Sequence, residues 1–391
     1  NKNEEVEEEK SLKQKINFMD LIRHIIPLIC ILTIHNQETD FKSMFNSIKA
    51  NKKIYNILLE QIKTWWGENV DNEFIENLID IYNKYMINDK ETNQIIRVAK
   101  ELFLKNIYKP RELSLLIDTY LIPQEVEKKK NAEISTPFKL RQEMLDTITK
   151  YGDPDFWKTP KKVFEPCAGK GGFLVDIIDR FMEGLKDYEP DEDKRRKIIL
   201  EDCLYFSDIN KTNIFICGLL LDAGGKYKLN YHEGDTLKLD IKNKWNLEGF
   251  DAVIGNPPYQ KNMYKKFTEY LLDITFILLF VIPSTFTIGV SHSKFIKYLK
   301  KNGIKIIQYL DRNIWNIPID IDTLYLLCTK NYNKYISVNN ILINRDENIY
   351  NIDRIYYTIL NKIKNINKLE LIKGKNKTLN YKNPKETSHI K

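Results

Sequence analysis

The feature that most constrains this chain is a series of strands alternating with helices between about residues 162 and 330. Short apolar runs predict strands at 162–164, 203–206, 229–231, 250–254, 276–282, 305–310 and 323–328, and helical spacing predicts helices near 173–181, 211–221, 265–272 and 294–300. Strands that are connected through helices form a mainly parallel sheet covered on both faces. We therefore predict an α/β fold for this part of the chain.

Polar motifs follow four of these strands at their carboxyl ends. The motifs are Glu165 to Phe173 (Glu-Pro-Cys-Ala-Gly-Lys-Gly-Gly-Phe), Ser207-Asp208, Glu233-Gly234-Asp235 and Asn256 to Tyr259 (Asn-Pro-Pro-Tyr). In an open parallel sheet, ligands bind beyond the carboxyl ends of the strands, where turns and helix amino termini converge. We therefore expect the four motifs to form one site.

The first motif is a glycine-rich turn between a strand and a helix. Glycines let the backbone pass close to a ligand and present amides at a helix amino terminus. A phosphate-binding P-loop is disfavoured because no Gly-Lys-Ser/Thr follows, whereas a dinucleotide fold stays open although the full Gly-x-Gly-x-x-Gly is absent. Glu165, just before the glycines, better suits a cofactor with an ammonium group, such as S-adenosylmethionine.

The corner Asn256-Pro257-Pro258-Tyr259 is the more specific motif. Its two prolines fix φ and remove two donors, so the turn is stiff and its carbonyls have no competing amides. If the side-chain oxygen of Asn256 and the carbonyl of Pro257 accept both hydrogens of an aromatic amine, such as N6 of adenine, the nitrogen lone pair is directed at a sulfonium methyl group. Tyr259 would then stack on the extruded base. A rigid loop that only caps a strand is the structural alternative.

The order Glu-Pro-x-x-Gly-x-Gly-x-Phe, then Asn-Pro-Pro-Tyr, resembles the S-adenosylmethionine-dependent DNA adenine-N6 methyltransferases. The short interval between Glu165 and Asn256 resembles the gamma arrangement of type I and type IIG modification methyltransferases. The resemblance covers about residues 133–330. It implies a Rossmann-like class I methyltransferase with a mainly parallel seven-stranded sheet, preceded by an α-helical domain, with S-adenosylmethionine as cofactor and DNA as substrate.

The resemblance also implies roles for single residues. The implied cofactor-binding residues are Thr136, Pro137, Glu165, Pro166, Gly169, Gly171, Phe173, Asp208 and Asp235. Asp208 would bind the ribose hydroxyls, or instead cap the helix that begins near Lys211. Asp235 would accept the cofactor's adenine amine, or be a simple turn residue. Phe173 would wall the adenine, or belong to the core.

On the substrate side, the resemblance implies Asn256, Pro257, Pro258 and Tyr259 as the catalytic corner. Trp315 would pack the flipped base opposite Tyr259, or be a buried core tryptophan. Cys167 lies in the cofactor turn, so the covalent mechanism of cytosine-C5 methyltransferases is not expected. The histidines are isolated and show no metal spacing, so we expect no metal site.

The sequence predicts three segments. Helical spacing from Ile16 to Pro123 predicts an α-helical N-terminal domain over 1–128, the methyltransferase domain follows over 129–332, and residues 333–391 form a basic segment. That segment is small for a domain that reads DNA sequence, so we expect sequence reading to depend on missing residues or a separate subunit. The chain opens at Asn1 rather than at methionine, which is typical of a fragment or a processed chain.

Composition indicates which kind of partner and which cellular compartment are compatible with the chain. The net charge of +7 favours an anionic partner such as nucleic acid. Five scattered cysteines indicate a reducing interior, the cytoplasm or else the nucleoid or nucleus, and no apolar run is long enough to span a membrane.

Other functions stay open, since Asn-Pro-Pro-Tyr turns also occur in enzymes that methylate protein glutamine or adenine in structured RNA. A catalytically silent subunit that keeps the fold for DNA binding is a further alternative.

Overall fold

The computed structural model describes residues 24–66, 70–85, 90–121, 134–287, 293–315, 321–330 and 334–346. The glutamate run near the start, the predicted linker at 125–132 and most of the basic segment lie outside these residues. The domain limits 1–128, 129–332 and 333–391 stay a prediction.

The N-terminal part is helical, as the spacing predicts. Its helices are α1 (residues 24–32), α2 (Phe41–Ala50), α3 (Lys52–Trp66), α4 (Asn72–Tyr85), α5 (Lys90–Asn106) and α6 (Pro110–Tyr120). Asp71 caps α4 by accepting the N–H of Phe74 at 2.8 Å, and Pro110 occupies the first turn of α6. Each helix buries one apolar stripe, as amphipathic helices do.

The core of these helices continues into the α/β region. Leu58, Phe103 and Ile117 belong to the same buried cluster as Val175 and Leu220, which lie on helices that flank the sheet. The helical part therefore packs directly against the helices that carry the predicted site.

The second part is built around one sheet. Its strands are β1 (Val163–Glu165), β2 (Leu204–Asp208), β3 (Asn230–Glu233), β4 (Phe250–Gly255), β5 (Thr275–Pro283), β6 (Ile304–Tyr309), β7 (Thr323–Thr329), β8 (Tyr335–Val338) and β9 (Ile341–Asn344). The helices are α7 (Phe138–Thr147), α8 (Gly172–Gly184), α9 (Glu192–Ile198), α10 (Lys211–Asp222), α11 (Ile241–Trp245), α12 (Met263–Asp273) and α13 (Ser293–Lys301). The strand order is β3-β2-β1-β4-β5-β7-β6-β8-β9.

The pairing explains why the polar motifs meet. Strands β1 to β5 pair in parallel with one another, with Val163 opposite Leu204 on one side and opposite Ala252 on the other. Their carboxyl ends therefore lie along one edge. β7 runs antiparallel to both β5 and β6.

The expected seven strands prove to be nine among the described residues. The two additional strands, β8 and β9, form a hairpin with Val338 opposite Ile341, and β8 pairs in parallel with β6. The connecting residues Asn339 and Asn340 both have positive φ, 48° and 62°, as the tight turn of a two-residue hairpin requires. None of the described helices is long and apolar enough to cross a membrane.

Candidate active site

A pocket lies beyond the carboxyl ends of β1, β2, β3 and β4. The space open to the centre of a water-sized sphere is about 180 Å³. Of the predicted site residues, it is lined by Thr136, Glu165, Pro166, Gly169, Phe173, Asp208, Asp235, Asn256 and Pro258. The structure thus brings residues of all four motifs to a single cavity, together with Thr136, which lies just before α7.

The glycine turn is folded as its composition demands. Gly169 and Gly171 have φ of 52° and 80°, a region that residues with a Cβ adopt at a cost. A Cβ on Gly171 would lie 3.2 Å from the Sγ of Cys217, whereas one on Gly169 would meet no atom within 4 Å. Gly171 therefore serves close packing onto α10, and Gly169 leaves open space at the pocket.

Glu165 is the last residue of β1, and it is only 2% exposed. Its Oε2 atom has no hydrogen-bond partner among the described residues. Burial raises the pKa of Glu165 well above its ordinary value, the Arg141 charge opposes this, and the Asp208 charge adds to it. An ammonium group placed here would pair with the carboxylate and bring that pKa down.

Asp208 ends β2 and ties three segments together. Its Oδ2 accepts the N–H of Gly169 at 2.8 Å, and its Oδ1 accepts the N–H of Asn210 at 2.8 Å. Burial raises the pKa of Asp208 to about 6, although the amides of Asn210 and Gly169 lower it. The helix cap before Lys211 is Asn210, which accepts the N–H of Thr212, so the capping alternative for Asp208 does not describe this helix.

Asp235 is the N-cap residue of a short 3₁₀ turn, Thr236–Lys238. Its Oδ1 accepts the N–H of Leu237 at 3.1 Å, which is the turn role that the sequence left as an alternative, and it also lines the pocket. The next residue, Thr236, is buried and donates to the carbonyl of Pro166 at 2.7 Å, and Ser207 lies 2.8 Å from the same hydroxyl. Two hydroxyls thus join the loops after β1, β2 and β3.

Asn256 follows β4 directly beside the glycine turn. A Cβ on Gly255 would lie 3.4 Å from Cδ of Pro166 and 3.8 Å from Cγ of Glu165, which measures how close the two motifs are. The Nδ2 of Asn256 donates to the carbonyl of Ile134 at 3.2 Å, so its Oδ1 is the atom left to accept. That Oδ1 is buried and has no hydrogen-bond partner among the described residues.

The rest of the corner is less exposed to the pocket. Pro258 lines it, whereas Pro257 and Tyr259 are not among its lining residues. The Tyr259 hydroxyl is buried without a hydrogen bond of normal geometry; burial raises its pKa and the adjacent Asn256 side chain opposes that rise. Lys261 and Asn262, just beyond, have left-handed backbone with φ of 47° and 59°. The roles of Pro257 and Tyr259 stay predictions.

Three further residues have mixed placements. Pro137 is the N-cap of α7 next to the pocket residue Thr136. Phe173 is 3% exposed and both lines the pocket and belongs to the core, so neither of its two interpretations is eliminated. Trp315 is 6% exposed, donates from Nε1 to Thr323 at 3.1 Å and belongs to the core, which favours the core alternative. Base stacking by Trp315 stays a prediction.

Sequence reasoning missed two ionisable residues of the pocket wall, Asp118 on α6 and Arg141 on α7. Burial raises the pKa of Asp118, and the Arg141 and Lys170 charges oppose that rise. A signal for Arg141 exists in the sequence, because it interrupts the buried apolar face of α7 beside Leu140 and Met144. A charged residue on such a stripe is unusual unless it is paired.

Metal and thiol chemistry find no support in this region. No group of three or more His, Cys, Asp or Glu among the described residues is arranged to hold a metal ion. Burial raises the pKa of Cys167 well above its ordinary value, which disfavours the reactive thiolate.

Residues 116–276 match the family model described as N-6 DNA Methylase. This segment contains the glycine turn, Asp208, Asp235 and Asn256, so it spans the pocket. The match confirms the resemblance to adenine-N6 DNA methyltransferases that the motifs indicate, and it implies S-adenosylmethionine as the cofactor. No curated protein matches the chain.

Among solved structures, the chain is similar to DrdV, determined in a complex with DNA, with a TM-score of 0.52 and 15% identity over 82% of this chain and 37% of that one. A Vibrio vulnificus YJ016 protein assigned as the modification subunit of a type I restriction enzyme has a TM-score of 0.48 and 14% identity over 70% of this chain and 62% of that one. A type I restriction-modification methyltransferase subunit from Streptococcus thermophilus has a TM-score of 0.40 and 14% identity over 89% and 87%.

At these identities the likeness to solved structures concerns the fold. The predicted α/β fold with a sheet covered by helices is confirmed. The chain spans 62% of the Vibrio protein and 37% of DrdV, less than two thirds of the length of each.

The pocket fits S-adenosylmethionine by its own chemistry. The buried oxygen of Glu165 lacks a partner that an ammonium would supply, and Gly169 leaves backbone open to a ligand. Four carboxylic acids line the pocket against two basic side chains, so its charge favours a ligand with a sulfonium and an ammonium.

Proposed function

We propose that this chain transfers a methyl group from S-adenosylmethionine to the exocyclic N6 of adenine in DNA, after the base is flipped out of the duplex. The observation that carries the proposal is the buried, unpartnered Oδ1 of Asn256 in the same pocket as the unpartnered Oε2 of Glu165. Leaving a buried acceptor unpaired costs about 1–3 kcal/mol. Such a cost is reasonable where a ligand supplies the donor.

The proposed mechanism is positioning and electrostatic. When bound, S-adenosylmethionine supplies an electrophilic methyl group on a sulfonium. Asn256 Oδ1 and the carbonyl of Pro257 accept the two amine hydrogens and direct the nitrogen lone pair, while Tyr259 stacks on the base. Transfer of the methyl group to this nitrogen would leave the cofactor's sulfur as a thioether, and the amine proton would pass to solvent.

The cofactor side of the proposal assigns one task to each strand end. Glu165 pairs with the ammonium, Asp208 accepts from the ribose hydroxyls and Asp235 accepts from the adenine amine of the cofactor. Thr136, Pro137, Pro166, Gly171 and Phe173 complete the wall. Pro137 and Gly171 adjoin lining residues, and the other residues named here line the pocket. The family match over residues 116–276 includes all of them.

The proposed partners are DNA and a separate subunit that reads the sequence. The family description favours DNA over RNA or protein as the substrate, and the net charge of +7 is compatible with a phosphate backbone. Phosphate contacts of this kind make binding sensitive to salt.

The test is transfer of a labelled methyl group. Purified protein is incubated with methyl-labelled S-adenosylmethionine and unmodified DNA of mixed sequence, and the DNA is digested to nucleosides. We expect the label in N6-methyldeoxyadenosine. Parallel incubations with structured RNA and with protein extract decide the substrate class, because label in either of these alone would show that the DNA assignment is wrong. No label in any of them, with cofactor bound, would support the silent subunit instead.

A further inference from the structure

Arg141 is a charged side chain that the proposed function leaves without a task. It lies on α7 five residues after Thr136 and is only 6% exposed, yet it lines the pocket. Its charge acts on Glu165, which lines the same pocket, by lowering the pKa of that carboxyl. A buried guanidinium beside a buried carboxylate marks one end of the cavity as able to hold both charges of an amino acid.

The hydrogen bonds of Arg141 occupy one side of the guanidinium. Nε donates to Oδ2 of Asp176 at 2.5 Å, and Nη1 donates to the carbonyl of Thr136 at 2.5 Å. No described residue accepts a hydrogen bond from Nη2. Because the guanidinium carries five N–H donors in a planar fork, at least the two of Nη2 stay available to an anion.

The second glycine of the Gly171-Gly172 pair makes room for this group. A Cβ on Gly172 would lie 2.9 Å from both Cζ and Nη1 of Arg141, closer than real Cβ atoms come. Gly172 is the first residue of α8, so the guanidinium lies against a helix amino terminus. The amino terminus of a helix disfavours a cation and favours an anion. An anionic ligand would therefore interact favourably with both the guanidinium of Arg141 and the amino terminus of α8.

Asp176 holds the guanidinium from the other side. It is fully buried, and its second oxygen accepts from Arg111 on α6, which also pairs with Asp179. Two arginines and two aspartates balance each other in this network. Outside this network, the pocket wall near Arg141 carries the carboxyl groups of Glu165 and Asp118, and the Lys170 charge also acts on Asp118. A zwitterion with its ammonium at Glu165 and its carboxylate at Arg141 would find an opposite charge at both ends.

We propose that Arg141 binds the α-carboxylate of S-adenosylmethionine, with Asp176 and Arg111 as the residues that position its guanidinium. The inference rests on the proposed function, because it assumes that cofactor. It extends that function by linking α6 of the N-terminal helices to cofactor affinity.

The test compares two ligands that differ only in the carboxylate: S-adenosylmethionine and its decarboxylated form. Dissociation constants are measured by calorimetry with the full chain. A charge-assisted hydrogen bond predicts that the wild type binds S-adenosylmethionine about 10- to 100-fold more tightly. In Arg141→Met we expect that ratio to fall to about one, through loss of affinity for the carboxylate-bearing ligand alone.

Three variants serve as controls. Arg141→Lys keeps a charge for Asp176 but loses the planar fork, so we expect an intermediate ratio. Arg180→Met removes an arginine of α8 that pairs with Asp146 of α7 outside the pocket, and it should keep the wild-type ratio. Arg111→Met should weaken binding of S-adenosylmethionine more than that of the decarboxylated form, which a merely structural loss would not do.

The outcomes separate the two proposals. If wild-type protein binds neither ligand, the proposed function itself is wrong. If it binds both ligands equally, or if Arg141→Met and Arg141→Lys both keep the full ratio, the role of Arg141 is wrong while the function stands. Unchanged affinity of Arg141→Met for the decarboxylated ligand shows that the variant is folded. If Arg141→Met binds neither ligand, Arg141→Lys takes its place: an intermediate ratio supports the role of Arg141, and the full wild-type ratio contradicts it.

Discussion

The loops that follow β1, β2 and β3 are joined to one another by the protein's own hydrogen bonds, although Oε2 of Glu165 at the end of β1 has no partner among the described residues. At the corner that follows β4, two polar atoms are buried without partners, and left-handed backbone follows directly. On the first side, Asp208 accepts two backbone amides, and Thr236 joins Ser207 to Pro166. On the second side, Oδ1 of Asn256 and the hydroxyl of Tyr259 are buried and unpaired.

The two sides differ in how much of their structure is already ordered before a ligand binds. The cofactor side is organised in advance, so binding there costs little ordering. Both sides carry the cost of an unpaired acceptor, Oε2 of Glu165 and Oδ1 of Asn256. At the corner, left-handed backbone at Lys261 and Asn262 adds strain of about 1–2 kcal/mol per residue. Such costs are tolerated in the free protein at sites where ligand binding removes them. Variants on the two sides should therefore fail in different ways.

Asn256→Ala should have the largest effect. Removing the acceptor should lower the single-turnover rate of methyl transfer by about 10³-fold, because one preorganised polar group typically contributes 10²–10³. Cofactor affinity should stay within about twofold, since no described residue of the cofactor side is hydrogen-bonded to this oxygen. Rapid-quench kinetics and calorimetry measure the two quantities. Asn243→Ala, an exposed asparagine on α11, is the matched control and should change neither. A large loss of cofactor affinity in Asn256→Ala would remove the distinction between the two sides.

Glu165→Gln should show the opposite pattern. Loss of the charge opposite the ammonium should weaken cofactor binding by about 10- to 100-fold, while the rate at saturating cofactor stays near wild type. The pH dependence has a definite sign: burial raises the pKa of Glu165, so wild-type affinity should increase as pH rises through that pKa and then level off. Calorimetry across pH measures it. Equal pH profiles for wild type and variant would exclude this carboxylate as the ammonium partner.

Asp208→Asn tests the organised side through stability. The pKa of Asp208 is about 6 in the folded chain and about 4 when unfolded, so the folded state binds more protons between these values. Wild-type stability should fall as pH rises from 4 to 6, by about 2–3 kcal/mol from this residue, and stay constant above. The variant should lack this contribution. Urea unfolding at pH 4.5 and 7 measures the difference, and parallel pH curves for the two proteins would contradict the burial argument.

Lys261→Gly should have the smallest effect. Lys261 is exposed and its φ is 47°, so glycine removes the penalty of a Cβ in left-handed backbone. Because glycine also gains entropy in the unfolded state, we expect a net stabilisation of at most about 1 kcal/mol. Thermal unfolding detects it. Destabilisation would mean that the corner stores no strain at this residue.

The two sides also differ in how far the sequence predicts them. Period and spacing place the strand ends, so the convergence of Glu165, Asp208 and Asn256 follows from parallel strands alone. Side-chain direction does not follow from spacing. Trp315 shows this, since a tryptophan near the substrate side by sequence lies in the core with its indole bonded to Thr323.

Two omissions have different physical reasons. The β8–β9 hairpin carries a readable signal, two asparagines between two short apolar runs, but it occupies only the start of the segment 333–391, whose later part is lysine-rich. Arg141 and its partner Asp176 are 35 residues apart and meet only because α7 packs on α8. Because this pairing depends on tertiary packing, a single sequence shows that an arginine lies on an apolar helix face but does not show which residue pairs with it.

The most direct test of the central claim is a crystal structure of the chain with DNA and a cofactor analogue that has no transferable methyl group. The DNA would carry the adenine mapped by the transfer assay. We expect an extrahelical adenine with its exocyclic nitrogen about 2.7–3.2 Å from Oδ1 of Asn256 and the analogue's amino-acid end at Glu165. An adenine bound elsewhere, with Oδ1 of Asn256 still unpaired, would contradict the account.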